Sequence, residues 1–378
     1  MYDNKQIKLV TEVLKNNKTN YWTGNECKNF EKEFSKYHKT KYSIAVSNGS
    51  VALELALRAL KIKKGSQIIV TPRSFIISAS CVLNLGYKPV FADVDENGNL
   101  NLNEIIKVYN KNIKAIILVH LNGLPCDLDP ILKFIKRKKI SLIEDCSQAH
   151  GAKYKGRSVG SFGDVSAWSF CQDKIISTGG EGGMISTNNK KIWEKCWSFK
   201  DHGKDFKKVF FKKHQKGFRW LHENLGSNYR MTEMQATLGR YQLKRLDKQI
   251  KLRNKIANLY FKSLSSFFKI GLLKKPNFKS KLYIHSFYRL NFFINPKVNQ
   301  KELILKLNKN KINCGVGACP EIYREKVFKK VNFNQKKRLS NAKFLGETSL
   351  MFPINPYRRL TDIKSDIRII KKTLEKYI

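Results

Sequence analysis

The stretch that decides the fold is Ser161–Thr187, SFGDVSAWSFCQDKIISTGGEGGMIST. Within it a short apolar strand, Val165–Phe170, ends in polar residues and a lysine, Lys174. A glycine cluster follows, Gly179-Gly180-Glu181-Gly182-Gly183, and then a second apolar run, Met184–Thr187. A strand that stops at a lysine, followed by glycines that let backbone approach a ligand, suits a lysine that forms a Schiff base. The ordinary alternative is a strand–loop–strand carrying one more solvated lysine.

Upstream of this stretch, short apolar segments alternate with helical patterns. The strand candidates are Ser43–Val46, Gln67–Thr71, Pro89–Ala92, Ala115–His120 and Ser141–Ile143, joined by Val165–Phe170 and Met184–Thr187. Several are near-continuous apolar runs, as expected of strands covered on both faces, and the alternation predicts a largely parallel α/β sheet. Ligands of such sheets sit beyond the carboxyl ends of the strands. The polar residues of this chain fall there.

The first strand ends in Ser47-Asn48-Gly49-Ser50 and opens a helix with Leu53, Leu57 and Leu60 on one face. Free backbone N–H groups and a hydroxyl at that point suit an anion such as phosphate, or they form an ordinary N-cap. The second strand ends at Thr71-Pro72-Arg73-Ser74-Phe75, where Phe75 either joins the core or stacks on a flat cofactor. Ser141–Ile143 runs into Glu144-Asp145-Cys146-Ser147-Gln148. A carboxylate directly after an apolar strand is costly to bury without a positive partner; a protonated pyridine nitrogen is one, and a solvated strand end is the alternative.

The termini complete the plan. Residues 1–40 read as amphipathic helix broken at Asn20–Gly24, and Thr232 caps a helical pattern that continues to about Tyr260. A smaller C-terminal part follows, with an alternating strand Ile284–Ile294, a helix capped by Asn299, and a last helix from Thr361 with Ile363, Ile367, Ile370 and Leu374 at helical spacing. The expected division is a large domain over 1–250, including the N-terminal segment, and a small domain over 251–378.

The chain has 378 residues with 42% hydrophobic content, enough for two packed cores. Its start lacks an apolar leader and no run is long enough to span a bilayer, so a cytoplasmic protein is expected and a membrane partner is not. The eight cysteines are scattered without a CxxC pair, which suits reduced thiols, and no metal site is expected. The net charge of +43 invites a nucleic-acid reading. Lysine far outnumbers arginine, however, and abundant asparagine, isoleucine and phenylalanine point to an AT-rich coding sequence. No nucleic-acid-binding motif accompanies the charge, so nucleic acid is not an expected partner.

Together these stretches resemble the sugar aminotransferases of the DegT/DnrJ/EryC1/StrS family, pyridoxal-phosphate enzymes of the aspartate-aminotransferase fold (type I). The resemblance rests on SNGSVALELALRAL (Ser47–Leu60), TPRSFIISAS (Thr71–Ser80), KPVFADVD (Lys88–Asp95), HLNGLPCDLDPI (His120–Ile131), IEDCSQAHGAKYKGRSVGSFGD (Ile143–Asp164), WSFCQDKIISTGGEGG (Trp168–Gly183) and GSNYRMTEMQATLGRYQLKRL (Gly226–Leu246), in that order. It implies a mostly parallel seven-stranded sheet with a smaller α+β C-terminal domain.

The resemblance also implies roles. Lys174 becomes the Schiff-base lysine and the base that moves a proton between cofactor and substrate, and Asp145 the partner of the ring nitrogen. Gln148 lies by the ring and Phe75 stacks on it. Gly49, Ser50 and Val51 hold the phosphate together with Ser169, and Asn228 reaches the phosphate of a neighbouring subunit's cofactor, which implies a homodimer with shared sites. Relatives that dehydrate the sugar carry histidine where this chain has Lys174, so amino transfer is implied. The implied substrates are L-glutamate and a nucleotide-linked keto-sugar, a 4-keto-6-deoxy hexose foremost and a 3-keto sugar as the alternative, for O-antigen, capsule or other glycan assembly. A regulatory or nucleic-acid-binding protein reusing the fold is the rival reading. A buried lysine beside a cationic ring is expected to have its pKa lowered. Tyr21, Trp22, Thr23, His285 and Tyr323 stand as secondary candidates for sugar or nucleotide contacts.

Overall fold

The computed structural model describes residues 2–278, 281–330, 335 and 337–378. Two helices lead, α1 (Asn4–Lys15) and α2 (Glu26–His38), and then strands alternate with helices. The seven strands are β1 (Tyr42–Val46), β2 (Gln67–Val70), β3 (Lys88–Phe91), β4 (Ile113–Val119), β5 (Ser141–Asp145), β6 (Val165–Ser169) and β7 (Gly183–Thr187). They form one sheet in the order β1-β7-β6-β5-β4-β2-β3. Only β7 runs against its neighbours; the pairs β3–β2, β2–β4, β4–β5 and β5–β6 are parallel. All seven expected strands are present. Their ends differ by a single residue except in two: β4 starts two residues earlier, and β5 runs on through Asp145, which is the strand's last residue rather than one beyond it.

Successive side chains of a strand point to opposite faces, and β6 shows what each face meets. Val165 and Ala167 join the core under α3 (Gly49–Ala59), with Leu53 and Leu57. Trp168 joins the opposite core, against Phe30 and Phe34 of α2. Trp168 is fully buried, 5.2 Å centroid to centroid from Phe34 in an edge-on contact. Truncating Phe34 to alanine is expected to cost about 3–5 kcal/mol. Among the described residues no helix is long and apolar enough to cross a membrane.

Topology fixes where the site lies. With β7 reversed, the end of β6 and the start of β7 share one sheet edge. The intervening loop with Lys174 is therefore held at the carboxyl ends of the other strands. Gly182 and Gly183 serve the protein's own close packing there, whereas Gly179 and Gly180 take left-handed φ of +87° and +124°. A Cβ on Gly182 would lie 2.0 Å from Thr178 Oγ1, and one on Gly183 would lie 2.4 Å from the Asn48 carbonyl oxygen.

Beyond the sheet, the expected single helix from Thr232 is two, α5 (Glu233–Lys244) and α6 (Leu246–Ser263), divided at Arg245. Thr232 caps α5 through a reciprocal pairing with Gln235. A second core runs from Ile256 to Leu374 around a three-stranded antiparallel sheet of β8 (Leu273–Lys274), β9 (Arg289–Ile294) and β10 (Ser349–Pro353). The expected strand Ile284–Ile294 is interrupted. Phe287 has φ +46°, a left-handed conformation incompatible with a continuous strand, and Tyr283–Ile284 pair elsewhere, with Lys153–Tyr154. Asn299 caps Gln300–Lys309 and the last helix, Leu360–Leu374, buries Ile363, Ile367, Ile370 and Leu374, as the periodicity predicts.

Candidate active site

A cavity of about 510 Å³ opens at the carboxyl edge of the sheet. Its wall brings together Gly49, Ser50, Phe75, Asp145, Gln148, Ser169 and Lys174, seven of the nine residues singled out from the sequence. A contiguous cavity of about 260 Å³ shares Phe75, Gln148 and Lys174 and adds Tyr288, Arg289 and Met351 from the C-terminal part.

Each wall residue is set by its element. Asn48 N-caps α3, its Oδ1 accepting from Val51 N–H at 2.9 Å. This corrects one expectation: the Val51 N–H is consumed inside the cap, and Val51 does not line the cavity. Gly49 and Ser50 do, at the positive end of the helix. Gly49 is required by closeness, since a Cβ there would sit 2.6 Å from Ser169 Cβ.

Asp145 is buried, and Ser78 of α4 (Ile77–Asn84) donates to its Oδ2 at 2.9 Å. The Ser147 N–H donates to its Oδ1 at 3.1 Å. These bonds fix an anion at the wall. Gln148 is also fixed: the Asn122 N–H donates to its Oε1 at 2.7 Å, leaving its amide N–H groups as donors to the cavity. Phe75 is 68% exposed, so it is a wall ring rather than a core residue.

Lys174 is largely buried, with Nζ 2.8 Å from Asp173 Oδ1 and 3.3 Å from the Tyr288 hydroxyl. Burial disfavours its charged form, but the Tyr288 oxygen and the Asp173 carboxylate outweigh burial and hold the ammonium above the usual lysine value. This reverses the expected lowering for the chain on its own, and the neighbour in sequence is the cause. Burial would raise the Asp173 carboxyl, but Lys174, Tyr288 and Arg289 draw it down to about 2. The Tyr288 hydroxyl donates to Asp173 Oδ2, and Arg289 Nη2 does so at 3.0 Å.

Asn228 does not line either cavity; it is exposed and its backbone bridges to Asp201. The secondary candidates do not line them either. Tyr21 lies against the buried Lys200 ammonium, 3.5 Å from ring centroid to Nζ. Trp22 packs on Tyr21 and Trp197, Thr23 closes a turn, His285 stacks on Phe287, and Tyr323 bonds Glu321.

Sequence reasoning missed Ser78, Asn122, Asp173, Tyr288 and Arg289. Two signals were present: Asp173 adjoins the lysine, and Ser78 follows Ser74 by one helical turn. It also missed a buried group, His120, Glu144 and Cys146, whose ligand atoms lie within 4.8 Å of one another. Glu144 already accepts from Gly160, Phe162 and Gly163 N–H groups and from His120, so its lone pairs serve the fold.

Pyridoxal phosphate carries an aldehyde, a basic ring nitrogen and a phosphate. The cavity answers them with a lysine amine, a fixed carboxylate and a helix N-terminus packed too closely for a side chain at Gly49. Fold and site together define a pyridoxal-phosphate-dependent transaminase. The chain belongs to the DegT/DnrJ/EryC1/StrS aminotransferase family, whose model matches residues 1–370.

It is similar to the aminotransferase from Psychrobacter cryohalolentis, known from an X-ray structure, with TM-score 0.97 and 42% identity over 100% of this chain and 98% of that one. GDP-perosamine synthase of Escherichia coli O157:H7 is 36% identical over 281 residues, 74% of this chain and 72% of that protein. The E. coli GDP-4-keto-6-deoxy-D-mannose-3-dehydratase, solved with hydrated pyridoxal phosphate bound, aligns with TM-score 0.87 and 26% identity over 98% of this chain and 97% of that one.

Proposed function

We propose that this transaminase transfers an amino group from L-glutamate to a nucleotide-linked 4-keto-6-deoxy hexose, yielding an amino sugar for O-antigen, capsule or other glycan assembly. The observation that carries the reading is the convergence of Lys174, Asp145 and the start of α3 on one cavity. Support for the acceptor comes from the relatives, one a GDP-perosamine synthase and another acting on a GDP-linked 4-keto-6-deoxy sugar.

When bound, the cofactor supplies an electron sink for the carbon that loses or gains a proton. The protein's residues do the rest. Gly49 and Ser50 offer donors to the phosphate, with Ser169 beside them. Asp145, held by Ser78 and Ser147, is the anion for the ring nitrogen. Gln148 would donate to the cofactor and Phe75 would pack against it. Lys174 Nζ, once neutral, would hold the cofactor's aldehyde end and is the amine placed to accept and return the proton at the reacting carbon. Donor and acceptor use the same cavity in turn, which gives ping-pong kinetics.

The enzyme is proposed to work as a homodimer in the cytoplasm, with Asn228 completing the partner's phosphate site. Beside Asn228 lies a run of exposed apolar side chains: Phe211 is 76%, Phe218 77%, Trp220 82% and Leu225 85% exposed. Phe218 and Trp220 pack ring against ring, and exposed apolar side chains of this kind support a partner surface there.

The test is the absorbance spectrum of the purified protein with pyridoxal phosphate, before and after L-glutamate. A yellow band that bleaches to the aminated form, and returns with a nucleotide-linked 4-keto-6-deoxy hexose, is the expected result. A protein that stays colourless with pyridoxal phosphate overturns it.

A further inference from the structure

We infer that Arg289 binds the α-carboxylate of the amino donor and that Asp173 positions it to do so. The inference rests on the transaminase reading above and names a residue for its first half-reaction. Among the described residues lining the two cavities, Arg289 is the only cation besides Lys174. It stands at the start of β9, with its side chain 27% exposed toward the smaller cavity.

The placement selects the ligand. Asp173 spans the two cations with one carboxylate: Oδ1 is 2.8 Å from Lys174 Nζ and Oδ2 is 3.0 Å from Arg289 Nη2. The guanidinium is therefore a single carboxylate away from the reacting amine. In an α-amino acid one carbon separates amine from carboxylate, so a donor whose nitrogen takes the place of Lys174 Nζ carries its anion into reach of Arg289. The diphosphate of a nucleotide-sugar is joined across the sugar ring from the keto carbon and does not fit so close to the reacting amine.

The guanidinium also has unused donors. Nη2 is engaged by Asp173 and by the Tyr288 hydroxyl at 3.1 Å, whereas Nη1 meets only the Met351 sulfur at 3.5 Å among the described residues. A thioether is a weak acceptor, and a carboxylate would replace it with a charge-assisted bond. Asp173 keeps the guanidinium plane fixed from the other side, so little ordering is left to the donor. The keto-sugar ring carries no carboxylate and needs no such anchor, and in the second half-reaction Arg289 keeps its pairing with Asp173.

The experiment uses the holoenzyme and compares wild type with Arg289→Gln and Arg289→Lys. L-2-methylglutamate lacks the proton to be removed, so its affinity, read from the change in visible absorbance, reports binding without turnover. Arg289→Gln is expected to weaken it about tenfold or more, and Arg289→Lys to recover part of the loss. Bleaching rates are then measured with L-glutamate, with L-glutamine (side-chain amide) and with L-isoglutamine (α-amide). The Gln variant should be slower with the first two and indistinguishable from wild type with L-isoglutamine, itself a poor donor. Unchanged affinity for L-2-methylglutamate, or an undiminished effect on L-isoglutamine, overturns the inference. Retained visible absorbance of bound cofactor in both variants shows an intact site. If wild type bleaches with no amino acid at all, the transaminase reading fails and takes this inference with it; if it bleaches and Arg289→Gln behaves like wild type, only the inference falls.

Discussion

His120 Nε2 lies 3.1 Å from Glu144 Oε2, both side chains fully buried, directly beneath the strand end that presents Asp145 to the cavity. His120 Nδ1 accepts from the Cys126 N–H at 3.1 Å, so the ring's proton is on Nε2 and points at the carboxylate. Burial pushes the Glu144 carboxyl up, but the His120 bond and the Gly163 and Gly160 N–H groups outweigh it and hold it below its ordinary value. The unfolded chain protonates near pH 4.3 and the folded chain lower. The stabilisation is thus complete above that pH and is lost as pH falls through the folded value. Glu144→Gln should destabilise at neutral pH by about 3 kcal/mol, because an amide nitrogen replaces one accepting oxygen against N–H donors. Urea unfolding at pH 7 and below pH 4 checks this: the gap between variant and wild type should narrow in acid, and a gap independent of pH would rule the account out.

Ser78→Ala removes the 2.9 Å bond to Asp145 Oδ2 and leaves the Ser147 N–H as its remaining donor. One hydrogen bond to a charged group is worth about 1.5–3 kcal/mol. Cofactor affinity is therefore expected to fall roughly tenfold or more, with the carboxylate still present. Asp145→Asn should go further and cripple turnover even where cofactor still binds. Equal affinity in wild type and Ser78→Ala, by absorbance titration of cofactor-free protein, would mean that Ser78 does not hold Asp145 in place.

Asp173→Asn tests the reversed expectation for Lys174. The carboxylate helps hold the Lys174 ammonium above its usual value, and only the neutral amine attacks a carbonyl. Without the carboxylate the lysine's pKa falls, and the neutral fraction at a given pH rises. The pH midpoint for capture of pyridoxal phosphate by cofactor-free protein should shift downward. A midpoint at the same pH in wild type and variant would remove Asp173 from this role. Lys174→Ala should capture none and turn over none while keeping the native circular dichroism spectrum.

What the sequence made legible follows the physics of each element. The seven strands announce themselves as apolar runs, and alternation with helices forces Gly49, Asp145, Ser169 and Lys174 to one edge. Most residues reached along the chain were therefore legible, with Ser78, Asn122 and Asp173 the exceptions. Those reached through space were not: Tyr288 and Arg289 come from β9 and its approach, more than a hundred positions after Lys174. Phe287's left-handed backbone, which turns them toward the site, leaves no mark in hydrophobic spacing. Val51 was overread for a related reason, since a phosphate-binding N–H and an N-capped N–H look alike until the Asn48 side chain is seen to take it.

Asn228 yields the sharpest test of the assembly. It lies outside the cavities of its own chain, yet its segment is anchored to the phosphate-binding turn, since the Ser47 N–H donates to the Tyr229 carbonyl at 2.8 Å and Arg230 bridges Val46. If Asn228 serves a partner's site, Lys174→Ala and Asn228→Ala subunits complement each other. In a mixed dimer, the site with an intact Lys174 receives its Asn228 from the Lys174→Ala subunit, and the other site lacks both. Each mixed dimer should thus carry one complete site, and random mixing of equal amounts makes about half the dimers mixed, so activity should reach about a quarter of the wild-type level. Each variant alone should show far less. If Asn228 acted only within its own chain, no mixed dimer would hold both residues in one site, and mixing would restore nothing.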